Sequence, residues 1–129
     1  MNTNDWDFVF SYTRAQAIAD GVLVDVSASA REAGFRLPMS LTQAAWADCV
    51  AWSADEAITQ DESGRLWDVL YMASLAARSA RNRNSSQVPF AVVRVPRGGR
   101  RACRRELVLH IGPGDDGEPV LTILLPGED

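Results

Sequence analysis

The spacing of the apolar residues changes at one polar run, Asn82–Gln87. Between Thr13 and that run they recur mainly at helical spacing behind repeated helix-start signals, and after it they fall in three short runs of strand character. That change predicts an α+β fold, with helices packed on one face of a small antiparallel sheet whose C-terminal part is a three-stranded meander. A length of 129 residues fits a single domain over 1–129. Hydrophobic residues at 47% and charged residues at 23% supply enough core to exclude global disorder.

The helix signals are specific. Thr13-Arg14-Ala15-Gln16 is a capping box and Gly21 a stop; Ser29-Ala30-Arg31-Glu32 is a second box, stopped by Gly34. Ser40-Leu41-Thr42-Gln43 reads as a third box, opening a helix through Trp52 with Leu41, Ala45, Cys49 and Trp52 on one face. The longest helix is expected from about Asp61 to Arg78 or Ala80, with Leu66, Val69, Leu70, Ala73 and Ala77 as its buried stripe and Trp67 and Tyr71 flanking. Its acids lie at the start and its arginines at the end, as the helix dipole favours.

Strands are expected at Pro89–Val95, Arg105–Ile111 and Pro119–Leu125, joined by the glycine-bearing turns Pro96–Arg100 and Gly112–Gly117. Val22–Val26 reads as a short buried strand interrupted by Asp25, able to join the same sheet. Trp6, Phe8, Phe10 and Tyr12 alternate, so residues 1–12 are either an edge strand laying four rings on the core or an arm offering them to a partner. The core is the favoured place, because large aromatics seldom stay exposed on a monomer.

Charge is the second organising feature. All 13 basic residues are arginine, and nine of them fall between Arg78 and Arg105, a stretch with no Asp or Glu. The flanking segments are acidic and the net charge is −4, so a polarised surface is expected. Arg97, Arg100, Arg101, Arg104 and Arg105 cluster on the first predicted hairpin turn and are the candidate partner-binding residues. Arginine forks suit phosphate and carboxylate. The alternative is a solvated turn that balances the chain's own acids and protects a sheet edge.

Other chemistry is sparse. Asp115, Asp116 and Glu118 could hold a hard cation, yet their spacing is not that of a calcium loop and Asp-Gly is a preferred hairpin turn. His110 is the only histidine and lies mid-strand, while Cys49 and Cys103 have no neighbouring base and no metal-motif spacing. Asp25 is either a general base with a raised pKa or, the favoured reading, an acceptor for a neighbouring cap or for an arginine such as Arg14. No catalytic residue, cofactor or metal is expected, and no enzyme activity. The apolar stretches are too short to span a membrane and Met1–Asp5 does not read as a secretory signal. Two free thiols and an all-arginine composition suggest a bacterial cytoplasm.

The stretches Tyr12–Val26, Gln60–Leu70 and Ile111–Val120 together resemble a family of small uncharacterised proteins. That family is encoded on plasmids, integrative elements and prophages of Gram-negative bacteria. The resemblance extends over Ser11 to Asp129 and implies no activity or cofactor. It implies a context, in which a non-enzymatic interaction protein binds and blocks a host protein or nucleoprotein complex. A nucleic-acid-targeting defence complex, of the kind met by anti-CRISPR or anti-restriction inhibitors, is the expected target. The alternative is a nucleic-acid-binding accessory or regulatory protein that uses the arginine-rich hairpin, although a pI near 4.9 is unlike most nucleic-acid binders.

Overall fold

The structure, a computed structural model, describes residues 12–53, 56, 60–79 and 85–128. Trp6, Phe8 and Phe10, the rings expected to alternate with Tyr12, lie outside the described residues, as do Arg81 and Arg83. Four helices, α1 (Arg14–Ala19), α2 (Ser27–Glu32), α3 (Gln43–Cys49) and α4 (Glu62–Ser79), accompany five strands. The strands are β1 (Leu23–Asp25), β2 (Met39–Thr42), β3 (Gln87–Arg94), β4 (Cys103–Pro113) and β5 (Pro119–Leu124). They form one sheet in the order β1-β2-β5-β4-β3.

The C-terminal meander is as the alternation predicted, with β3–β4 and β4–β5 antiparallel. The N-terminal half adds β1 and β2, and β2 lies parallel to β5, pairing Met39 with Leu121 and Leu41 with Ile123. The fold is α+β on a mixed sheet.

Two helix starts differ from the sequence reading. Ser40 is not a helix cap: Met39, Ser40 and Leu41 are all fully buried in β2, and Thr42 caps the shorter α3 by accepting from the Ala45 N–H. Burial of both Met39 and Leu41 on one side outweighs the capping box that Ser40 offers, a tertiary override of a local signal. Helix α2 begins at Ser27 rather than Ser29, because the Asp25 carboxylate accepts from both the Ser27 N–H and its hydroxyl and starts the turn early.

Parity along the strands sorts the two faces. Leu41, Phe90, Val92, Leu107, Leu109 and Ile123 point to one side and join Val69, Leu70 and Ala73 of α4 and Ala45 and Cys49 of α3 in the core. His110, Thr122, Thr42 and Leu23 point to the other side, where only α1 among the described helices packs, through Ala17. Truncating a side chain at the centre of this core should cost most. Leu41→Ala is expected to lower the unfolding free energy by about 2–5 kcal/mol in urea denaturation.

Candidate functional site

The β3–β4 hairpin brings the arginine segment to one end of the sheet. Its turn is built around Gly98, at φ 79°, with the Gly99 N–H donating to the Pro96 carbonyl at 2.8 Å. A left-handed φ at the third turn position is what glycine alone adopts cheaply. Glu56 fixes this turn from outside: its Oε2 accepts from the Gly98 N–H at 3.1 Å, and its Oε1 lies 3.7 Å from Arg97 Nε.

The base of the hairpin is tied to α3 by one carboxylate. Asp48 Oδ1 accepts from Arg94 Nε at 3.0 Å and from Arg94 Nη2 at 2.7 Å. Its Oδ2 lies 3.2 Å from Arg105 Nε, an ionic contact without hydrogen-bond alignment. Arg94 and Arg105 share the inward parity of Val92 and Leu107, so their stems lie along the core side while their heads meet Asp48.

A second, deeper tie is Arg65, which is buried. Its Nε donates to the Val50 carbonyl at 2.9 Å and its Nη1 to the Val95 carbonyl at 2.7 Å. Its guanidinium carbon sits 4.6 Å from the centre of the Trp52 ring. Arg65 thereby satisfies a carbonyl at the end of α3 and another at the end of β3, joining helix, helix and hairpin at one point. Burial lowers its pKa from the ordinary arginine value.

The five arginines singled out from the sequence therefore do not form one uniform patch. Arg105 faces the helices and is held by Asp48, whereas Arg104 faces the opposite side and pairs with Glu106 at 2.9 Å in the open. Arg97 leans on Glu56. Arg100 and Arg101 are exposed at the tip and pair with no acid among the described residues.

The remaining candidates are dispersed. Asp25 is half of a cap: the Ser27 hydroxyl, aided by the Ser27 amide and more weakly by Arg14, holds its carboxyl below the usual range against partial burial. The raised-pKa alternative for Asp25 is thus corrected, and Ser27 rather than Arg14 is its main partner. Asp115 accepts from the Arg14 N–H at 2.6 Å and the Ala15 N–H at 3.1 Å, capping the first turn of α1 from the far end of the chain. Glu118 accepts from the Asp116 N–H within the same turn. Among the described residues no group of three His, Cys, Asp or Glu side chains is placed to hold a metal.

His110 lies on the second face of the sheet. There, two adjoining depressions of about 500 and about 660 Å³ share Tyr12, Ala17, Leu23, His110 and Thr122. Of their lining, the Tyr12 hydroxyl donates to Asp20 at 2.6 Å, and Glu128 accepts from the Thr42 hydroxyl at 2.7 Å. Cys49 sits in the core on the other side of the sheet and Cys103 at the hairpin end of β4, so His110 meets neither. Burial, reinforced by Asp48, pushes the Cys49 thiol up to about 12. No helix of the described residues is long and apolar enough to cross a membrane.

A family model described as a family of unknown function, DUF6573, matches residues 2–129. No curated protein and no solved structure matches the chain.

Two measurements check this site. Asp48→Asn should cost roughly 2 kcal/mol in urea unfolding, since it leaves two half-buried guanidiniums without their anion. Glu106→Gln, which breaks only the exposed pair with Arg104, should change stability by less than about 1 kcal/mol. A thiol reagent at mildly alkaline pH should modify Cys103 alone in the folded chain and Cys49 only after denaturation.

Proposed function

The chain belongs to DUF6573, a family of unknown function, and we propose that it is a non-enzymatic interaction protein that meets an acid-bearing partner through the tip of the β3–β4 hairpin. The observation that carries this reading is the exposed pair Arg100 and Arg101, without an acid among the described residues, on a turn fixed by Glu56 and a base fixed by Asp48. A cationic tip held by its own frame loses little conformational freedom when it binds, and its arginine forks match carboxylate or phosphate in two-point contacts.

Arg97, Arg100, Arg101 and Arg104 form the working surface, and Arg105 positions it through Asp48. The net charge of −4 repels an extended polyanion more than it does a compact acidic site, which favours a protein or nucleoprotein partner over free nucleic acid. The resemblance to mobile-element proteins supports a host nucleic-acid-targeting defence complex as that partner, in a bacterial cytoplasm.

Replacing Arg97, Arg100, Arg101 and Arg104 with Ala should lower retention of the partner at least about tenfold in a nuclease-treated bacterial pull-down. The melting temperature should hardly move, because exposed arginines contribute roughly 0–1 kcal/mol each. Unchanged retention by the quadruple variant would reject the hairpin as the working surface. Retention only of nucleic acid, with affinity falling steeply as salt rises, would instead assign the tip to phosphate contacts.

A further inference from the structure

The face of the sheet away from the main core carries one polar line. Asp25, Ser40, Thr122, His110 and Gln87 are successive register partners across β1, β2, β5, β4 and β3, so their side chains stand in a single row over all five strands. Neighbouring strands lie about 4.8 Å apart, which lets one small molecule touch two members of the row. The row is not a closed chain of mutual bonds: Asp25 turns to Ser27, and the buried Ser40 hydroxyl has no partner among the described residues.

Beyond His110 the strand continues through Gly112. A β-carbon at 112 would fall 2.7 Å from His110 Cε1, so glycine lets the imidazole lie along β4 in the cavity of about 500 Å³ that both residues line. Its backbone is ordinary strand with no positive φ, so the ring and not a turn calls for glycine here.

Arg14 lines the same cavity from α1. Its guanidinium has no carboxylate among the described residues: Nε and Nη2 are shut off from solvent without an acceptor, and Nη1 alone stays open. Asp115, the acid of this cavity, has both oxygens on the amides of Arg14 and Ala15. A guanidinium withdrawn from water without a counter-ion is unfavourable, and an anion on its open side offsets that cost. The adjoining depression of about 660 Å³ differs in chemistry, with Ala17, Val22, Leu23, Ala44 and Leu124 supplying apolar walls. Its acid, Glu128, is engaged by the Thr42 hydroxyl and the Leu125 amide.

We propose that the two depressions form one binding site for a small monocarboxylate with an apolar body, its carboxylate on Arg14, His110 and Thr122 and its body along Leu23 and Leu124. Charge selects the head. One guanidinium balances a single negative charge, and Asp115 and Glu128 in the lining disfavour the second charge of a phosphate monoester. The apolar depression selects the body, since small-molecule sites pair apolar walls with a few convergent polar groups. The site lies at the end of β4 remote from the arginine hairpin, so it stands or falls separately from the hairpin reading.

Nuclear magnetic resonance titration of the labelled full chain with octanoate, phenylacetate and indole-3-acetate tests the site. At least one acid should shift the Gly112 and Thr122 amides and the His110 ring with a Kd of about 1 mM or below. The matching amides, octanamide, phenylacetamide and indole-3-acetamide, keep the shape without the charge and should bind at least about tenfold more weakly. Arg14→Met should remove that preference for the acid and leave amide binding unchanged. Octyl phosphate at about pH 8, where it carries two charges, should bind more weakly than octanoate. No shift at these residues with any of the three acids at about 10 mM would overturn the proposal. So would amides that bind as well as the acids, an acid preference that survives Arg14→Met, or tighter binding of octyl phosphate.

Discussion

The parallel pairing of β2 with β5 is the contact on which the rest of the structure rests. It places residues 39–41 beside residues 121–123, so the whole chain between them, α3, α4, β3 and β4 included, is one closed crossover. Closing so long a loop carries an entropy that grows only slowly with length but must be offset at the joint. Here the offset is burial on both sides: Met39 and Leu41 lie under the helices, and Ser40 is wholly covered on the opposite face. Because β2 has four residues and α3 follows it directly, the register of this short strand also decides where α3 lands. A slip of one residue would carry Met39 and Leu41 to the wrong face and move Asp48 off the hairpin.

Asp48 at the end of α3 and Arg65 at the start of α4 turn that placement into a frame for the hairpin. The two act differently. Asp48 bridges a pair of guanidiniums whose stems are already packed, so it fixes the direction of β3 and β4 beyond the core. Arg65 instead supplies donors to carbonyls at the ends of α3 and β3, where regular ladders have run out. The cationic tip is thus separated from the cations that build its base. A local excess of arginine serves two purposes, decided residue by residue by strand parity.

Much of this was legible in the sequence. The helical stripe of α4, the three C-terminal strands and their turns follow from period and glycine placement alone, and the inward aim of Arg105 is implied by its parity with Leu107 and Leu109. What was not legible depended on partners far away in sequence. A serine followed three residues later by glutamine reads as a helix start, and only the buried neighbours Leu121 and Ile123 make Ser40 a strand residue. Asp115 reads as a turn former, and its bonds to the amides of Arg14 and Ala15 span about a hundred residues. Arg65 lies between Gly64 and Leu66 with no local hint that its side chain is buried.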